Sequence, residues 1–219
     1  MIPPVEVNTQ NKCDSSVIWL HGLGADGHDF EPVAHALNLP NVRFILPNAP
    51  YKAVTINNGH QMPAWFDIFA FNQNAHEDEV GIKASQQIVE TLIAQEITYG
   101  IKPEHIVIAG FSQGGAIALQ TALRYNQRLA GVLALSTYLP LKTKLEIEAN
   151  PVNKNISIFM AHGTYDEVIS MATNSQSRKF LTHHYAQLEW HEYAMGHSVT
   201  NDEIADIRRF LCKILNISN

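Results

Sequence analysis

The chain has 219 residues, of which 46% are hydrophobic and 16% are charged. This length and composition are typical of a protein that buries a full core, and we expect a single domain over residues 1–219. A formal net charge of −6 without a basic tract argues against a nucleic-acid partner.

The number of cysteines and the N-terminal residues favour a reducing, cytoplasmic compartment. Two cysteines, Cys13 and Cys212, are too few for a disulfide framework and match no metal-binding spacing. The N-terminus lacks the basic start and apolar core of a signal peptide, and no apolar run approaches the roughly 20 residues of a membrane-spanning helix. We therefore expect a cytoplasmic protein without a metal site.

The first predicted strand, residues 16–21, runs into a glycine-rich loop that carries Gly22, Gly24 and Gly27. A helix is expected from about residue 29 to 37, so the loop has the form of a dinucleotide-binding fingerprint. That interpretation needs an acidic residue after the next strand, residues 42–46, which instead ends in Pro and Asn. The alternative is an oxyanion loop, in which glycines let backbone N–H groups approach the substrate.

Residues 47–71 are predicted to form a loop, because prolines and an Asn-Asn-Gly run interrupt them. Residues 62–71 within this loop are nevertheless strongly apolar. Such a segment either folds back onto the core or lines a site, and one beside an apolar cleft does both. The residues expected to bind substrate are Met62, Trp65, Phe66 and Phe69.

A helix is predicted from residue 77 to about residue 99, followed by a buried strand over 106–111 and a further helix. Between that strand and helix lies Gly110-x-Ser112-x-Gly114, the pattern of a nucleophile elbow. A serine on such a turn is held above the sheet, and the flanking glycines leave room where strand and helix crowd together. The helix N-terminus also points its N–H groups at the place where negative charge develops.

Further strands are expected at 129–136, 156–161 and 187–193, the last near a sheet edge, with a loop from about 138 to 155. Helices are expected at 171–184 and from about residue 199 to 215. Strands and helices thus alternate, which predicts an α/β class protein with a mostly parallel central sheet and helices on both faces.

Three residues along this alternation have the order nucleophile, acid, histidine that α/β-hydrolases use: Ser112, Asp166 and His197. Each follows a predicted strand, so all three can meet at one edge of the sheet. A serine hydroxyl needs an adjacent base, and the base needs a group that orients it. Among eleven histidines, His197 is chosen because it lies in a Gly-bearing loop after the last strand.

Several segments together resemble the small α/β-hydrolases that include carboxylesterases, lysophospholipases and acyl-protein thioesterases. The matching segments, within about residues 17–200, are His21-Gly22-Leu23-Gly24, Pro47-Asn48-Ala49-Pro50, Met62-Pro63-Ala64-Trp65-Phe66-Asp67, Gly110-Phe111-Ser112-Gln113-Gly114-Gly115, Leu135-Ser136-x-Tyr138-Leu139-Pro140, His162-Gly163 with Asp166, and Gly196-His197. The resemblance implies Ser112, Asp166 and His197 as catalytic triad. It also implies the backbone N–H groups of Leu23 and Gln113 as oxyanion hole.

The resemblance further implies the α/β-hydrolase fold and hydrolysis of esters or thioesters of acyl chains without a cofactor. Small-molecule or lipid acyl esters and acylated proteins all fit as substrates, and transient membrane-surface contact and a homodimer are left open. One departure is Glu167, because the family often has a proline-flanked turn after the acid, and this chain has a second carboxylate there. The rival class is a non-catalytic binding protein with the same fold.

Overall fold

The computed structural model describes residues 2–9, 12–70 and 76–217. The strands are β1 (Val5–Val7), β2 (Ser15–Leu20), β3 (Val42–Leu46), β4 (Tyr51–Val54), β5 (His60–Pro63), β6 (Ile106–Phe111), β7 (Gly131–Leu135), β8 (Ser157–Gly163) and β9 (Leu188–Tyr193). The helices are α1 (Glu31–Leu37), α2 (Glu79–Tyr99), α3 (Gln113–Ala122), α4 (Lys142–Glu148), α5 (Met171–His184) and α6 (Asn201–Leu215).

Seven strands form the central sheet in the order β1-β3-β2-β6-β7-β8-β9. Every neighbouring pair is parallel except β1 with β3. Parallel strands need crossover connections, and helices supply most of them on the two faces of the sheet. The predicted fold class is confirmed, and β9 lies at the edge, as its alternating sequence predicts.

The two faces of the sheet carry separate hydrophobic clusters. Ile18 and Leu20 of β2 belong to one cluster, to which α2, α3 and α5 contribute. Val17 and Trp19 belong to the other, to which α1 and α6 contribute. Because side chains alternate along a strand and both faces are covered, every residue of β2 is buried and the strand reads as a nearly continuous apolar run.

Four of these strands and helices were not predicted from the sequence: β1, α4, and the strands β4 and β5, which pair as an antiparallel hairpin. The hairpin lies within residues 47–71, where a loop is expected. Its strands are mostly exposed or half-buried, so they lack the apolar pattern by which the buried strands are recognised. Helix α4 has one buried side chain, Leu145, so its sequence lacks the repeated apolar positions by which an amphipathic helix is predicted. The apolar residue Phe71 lies outside the described residues.

Helix ends follow ordinary capping rules. The Asp78 side chain accepts the N–H of Gly81 at the start of α2, and Gly100, with a φ of 111°, ends that helix. Thr200 caps α6 in the same way through the N–H of Glu203. Over the described ranges of the chain, none of the helices combines the length and apolarity needed to cross a membrane.

Candidate active site

Ser112 lies on a tight turn between β6 and α3. Its φ of 54° and ψ of −122° are unusual for a residue other than glycine. The Ser112 N–H donates to the Leu135 carbonyl at 2.9 Å, and the Thr137 hydroxyl donates to the Ser112 carbonyl at 2.6 Å. These bonds hold the strained turn, so the strand–turn–helix context predicted for the Ser112 motif is present.

Two glycines of the same motif allow the surrounding backbones to approach closely. A Cβ atom on Gly110 would overlap the carbonyl of Gly114, and one on Gly114 would overlap the carbonyls of Leu20 and His21. Backbone atoms in a packed core cannot move aside as a flexible side chain can. A larger residue at either position would therefore displace α3 from the sheet.

Asp166 follows β8 and His197 follows β9, and their side chains meet in a hydrogen bond of 2.7 Å between Nδ1 and Oδ2. The other oxygen of Asp166 accepts the N–H groups of Val168 and Ile169, both at 2.9 Å. Because a carboxylate only accepts, His197 donates from Nδ1 and keeps Nε2 for a second interaction. Glu167 is exposed, so of the two neighbouring acids Asp166 is the one that the structure brings to His197.

The His197 ring is supported by an aromatic contact as well as by the carboxylate. The ring of Phe111 packs against it with centroids 4.6 Å apart and planes tilted by 47°. Phe111 in turn contacts Phe30, and Phe30 stacks on Trp19 in the core below. This row of rings restricts the orientation of the imidazole, since a well-packed ring has few alternative rotamers.

A pocket of about 250 Å³, here called the inner pocket, lies at the carboxyl ends of β2, β6 and β9. Leu23, Ser112, Gln113 and His197 all line it, and Asp166 lies behind His197. Gln113 is the first residue of α3, where N–H groups have no acceptor within the helix and the helix dipole is positive. The predicted nucleophile, base and oxyanion-hole residues therefore share one cavity.

A second cavity of about 670 Å³, the outer pocket, shares walls with the inner pocket. The shared lining residues are Phe66, Ile68, Tyr138, Val168 and Ile169. Most of these side chains are apolar, and burial raises the pKa of the Tyr138 hydroxyl, which keeps it neutral. The two pockets together can receive an extended apolar group that ends beside Ser112.

The predicted substrate-binding residues do not all line these pockets. Phe66 lines both, and Phe69 lines the outer pocket. Trp65 is fully buried, and its indole N–H donates to the His21 carbonyl at 2.9 Å. Met62 lies in β5, with its sulfur 3.4 Å from the Asn57 side chain. Neither Trp65 nor Met62 lines either pocket. Their contacts therefore favour structural roles for these two residues over the expected contact with substrate.

The side chain of Gln113 has a role that sequence reasoning missed. Its Oε1 accepts the backbone N–H of Trp65 at 2.8 Å, and its Nε2 donates to the Phe66 carbonyl at 2.7 Å. One amide thus fixes the pocket wall to the first residue of α3. No local pattern reveals a contact between residues 47 or 48 positions apart.

The glycine-rich loop after β2 packs against protein backbone. Gly24, with a φ of 77°, donates its N–H to the Pro63 carbonyl at 2.9 Å. Gly27 donates to the Asn48 side chain at 3.0 Å, and a Cβ there would overlap the Leu46 carbonyl. The glycines therefore allow close backbone packing, which favours the oxyanion-loop interpretation over a dinucleotide site.

His21 steadies the same loop. Its Nδ1 lies 2.7 Å from the Gly22 carbonyl, and its Nε2 accepts the Ala49 N–H at 3.0 Å. Burial lowers the pKa of His21, which keeps the ring neutral with its proton on Nδ1. Within residues 2–9, 12–70 and 76–217, no group of three His, Cys, Asp or Glu side chains is arranged to hold a metal ion.

Comparisons with known proteins agree with this geometry. The model of the phospholipase/carboxylesterase family matches residues 4–215. An acyl-protein thioesterase 1 of Neurospora crassa is 40% identical, with 97% of this chain and 92% of that protein covered. An acyl-protein thioesterase 1 of Yarrowia lipolytica is 37% identical, with coverage of 95% and 96%.

A solved structure of an acyl-protein thioesterase has a similar fold. The crystal structure of Zea mays acyl-protein thioesterase 2 superposes with a TM-score of 0.88 at 27% identity, covering 97% of this chain and 98% of that one. The fold, the shared cavity and the family match over nearly the whole length lead to one conclusion, which confirms the resemblance seen in the sequence. The chain belongs to the phospholipase/carboxylesterase family and is a hydrolase.

Proposed function

We propose that this protein hydrolyses esters or thioesters of acyl chains, with Ser112 as nucleophile, His197 as general base and Asp166 as the residue that orients the base. The observation that carries this proposal is the 2.7 Å bond between His197 Nδ1 and Asp166 Oδ2, beside a pocket that both His197 and the strained Ser112 line. That arrangement is the one a serine hydroxyl requires for activation.

The first half of the reaction forms an acyl-enzyme. Ser112 Oγ attacks the substrate carbonyl, and its proton passes to His197 Nε2, because Nδ1 is already bonded to Asp166. The carbonyl oxygen becomes an oxyanion, which the backbone N–H groups of Leu23 and Gln113 stabilise. The bond to the leaving alcohol or thiol breaks, and the leaving group takes the proton from His197.

The second half regenerates the enzyme. His197 Nε2 removes a proton from water as the water oxygen attacks the acyl carbonyl. The resulting oxyanion is held by the same two N–H groups. The bond to Ser112 Oγ then breaks, the oxygen recovers its proton from His197, and the carboxylic acid leaves.

Acylated substrates are the class that best fits the cavities. Phe66, Ile68 and Val168 give an apolar path from Ser112 into the outer pocket, which has room for a fatty chain. The related proteins from Neurospora crassa and Yarrowia lipolytica are named acyl-protein thioesterases, which supports a thioester of an acylated protein as substrate. A cytoplasmic location and one domain over residues 1–219 stay predictions, and a homodimer and membrane-surface contact stay open.

The test is Ser112→Ala, assayed with p-nitrophenyl esters, an acyl thioester and a fluorophosphonate probe. We expect turnover to fall about 10³-fold or more and covalent labelling to disappear, because a triad acts as a unit. Ser136→Ala is a matched control, since Ser136 is also a buried serine with positive φ after the neighbouring strand. Unchanged turnover in folded Ser112→Ala would refute the nucleophile assignment, and absence of labelling in the wild type would favour the non-catalytic alternative.

A further inference from the structure

A second histidine lies directly behind the proposed acid. His162, in β8, is completely buried, and its Nε2 lies 2.8 Å from the Ile169 carbonyl. The same nitrogen is 3.6 Å from Asp166 Oδ2, the oxygen that accepts the hydrogen bond of His197. Two imidazole rings thus approach one carboxylate oxygen, and only one of them, His197, lines the inner pocket.

The hydrogen bond to Ile169 fixes the protonation state of His162. A carbonyl only accepts, so the proton must be on Nε2. Burial lowers the pKa of His162, which keeps the ring neutral. Its Nδ1 has no hydrogen-bond partner in the part of the chain that the structure describes. His162 therefore presents a single N–H donor to the loop and no positive charge that would compete with His197 for Asp166.

The loop after β8, residues 164–169, has two halves that are held differently. In the first half, the Thr164 and Tyr165 N–H groups donate to the carbonyls of Tyr193 and Met195 at 2.9 and 3.0 Å. These bonds tie the loop to the segment that leads to His197. In the second half, Ile169 bonds with its carbonyl to His162, and this contact joins the end of the loop to the strand that starts it.

The second half of the loop also supplies the donors that orient Asp166. Both the Val168 and Ile169 N–H groups donate to Asp166 Oδ1 at 2.9 Å. The carbonyl and the N–H of Ile169 flank the same Cα atom, so a displacement of Ile169 would move its N–H donor and free the carboxylate to turn away from His197. A single bond from His162 thus restrains the groups that set the carboxylate plane.

We propose that His162 is a positioning residue for Asp166, acting through its Nε2–H bond to the Ile169 carbonyl. This role rests on the proposed catalytic function of Asp166. Misplacement of a catalytic group by about 1 Å costs on the order of 10²-fold in rate. The loss falls mainly on kcat, because Asp166 acts on the charge that develops on His197 in the transition state.

The test compares His162→Leu, His162→Gln and His162→Asn by kcat, KM and thermal midpoint. A glutamine amide can place its nitrogen near the position of Nε2, whereas an asparagine amide reaches only the position of Nδ1. We expect His162→Leu and His162→Asn to lose on the order of 10²-fold in kcat and His162→Gln to retain most activity. Equal losses in the glutamine and asparagine variants would overturn the proposal, as would wild-type kcat in His162→Leu or failure of all three to fold.

A double-mutant cycle with Asp166→Asn separates positioning from a general role in the core. Once the acid no longer functions, His162→Leu should reduce kcat by less than about threefold. Losses that multiply would show that His162 supports the fold independently of Asp166, and the inference would fail. If Asp166→Asn is itself fully active, the proposed triad is wrong. If Asp166→Asn is impaired but the losses multiply, only the role of His162 is refuted.

Discussion

Two regions that meet at the inner pocket are built in different ways. The serine turn, residues 106–122, is a strand, a strained serine and a helix whose close contacts depend on nearby glycines. The apolar wall, residues 62–70, is held by distant groups. The Gln113 amide bonds Trp65 and Phe66, the Ser85 hydroxyl donates to the Trp65 carbonyl, and Asp78 accepts the Asp67 N–H at 2.9 Å.

Chemistry and substrate specificity are therefore encoded in different parts of the sequence. The serine turn is specified by a short run of sequence, because backbone crowding leaves room only for glycine at Gly110 and Gly114. The apolar wall is held through backbone atoms of Trp65, Phe66 and Asp67, so we expect its pocket-facing positions to accept other side chains. We therefore expect substitutions near the triad to change turnover and substitutions in the wall to change either stability or chain-length preference.

Among these variants, the greatest loss of activity is expected from a change in the acid of the proposed triad. Asp166→Asn should reduce turnover by about 10⁴-fold, as is typical of a serine triad, because an amide favours the wrong tautomer of His197. Glu167→Gln is the matched control, since Glu167 is exposed, and it should change turnover little. Steady-state assays with one ester, together with thermal midpoints, measure both. If Glu167→Gln is impaired and Asp166→Asn stays active, Glu167 and not Asp166 is the acid that orients His197.

The same contrast explains how far the sequence could predict this protein. Buried strands such as β2 and β6 and the turns that follow them are recognised because periodicity and glycine spacing are local signals. The same local signals predict Ser112, Asp166 and His197 at the ends of their strands. The β4–β5 hairpin gives no such signal, because its exposed strands have no apolar pattern. The sequence predicts Trp65 as a substrate contact, because side-chain chemistry alone does not reveal its bond to the His21 carbonyl.

The next largest effect is a loss of stability on replacing Trp65, which tests whether this residue of the apolar wall is structural. Truncating a fully buried tryptophan to alanine costs about 3–5 kcal/mol, and the lost indole bond to His21 adds to that. Trp65→Ala should therefore lower the free energy of unfolding in urea by this amount, with little change in acyl-chain preference of the folded enzyme. If stability is unchanged and only long-chain esters react more slowly, Trp65 is a substrate contact after all.

A pH effect on stability comes from α6, which begins shortly after His197. Glu203 is fully buried, and within the described part of the chain neither carboxylate oxygen has a hydrogen-bond partner. Burial raises the pKa of Glu203 from 4.5 to about 8. Between these values the folded state binds a proton that the unfolded state has released, so this group lowers stability as the pH rises through that window.

Glu203→Gln removes this titration and keeps the shape of the side chain. At pH 4, below the pKa of both states, its thermal midpoint should be close to that of the wild type, because the Glu203 side chain is then mainly protonated in the folded and the unfolded protein. At pH 9 the variant should be more stable by up to a few kcal/mol, because the wild type must ionise a buried acid. The difference between the two midpoint-against-pH curves is the measurement. Parallel curves would show that Glu203 does not titrate abnormally.

The smallest expected effect is the one that tests the wall as a specificity element. Phe66 lines both pockets and Phe69 only the outer one, so Phe69 can contact only the distal part of an acyl chain that starts at Ser112. Each methylene that loses an apolar contact costs up to about 0.8 kcal/mol, or roughly fourfold in kcat/KM.

Phe69→Ala should accordingly lower kcat/KM for palmitate esters and leave acetate esters unchanged, whereas Phe66→Ala should affect chains of intermediate length as well. Both variants keep their backbone, including the Phe66 carbonyl that accepts the Gln113 amide. Tyr51→Ala is a control for loss of an exposed aromatic residue outside both pockets. Equal losses on acetate and palmitate in Phe69→Ala would mean that the outer pocket does not hold the chain. The acyl group would then leave the inner pocket in another direction, and the wall would be structural throughout.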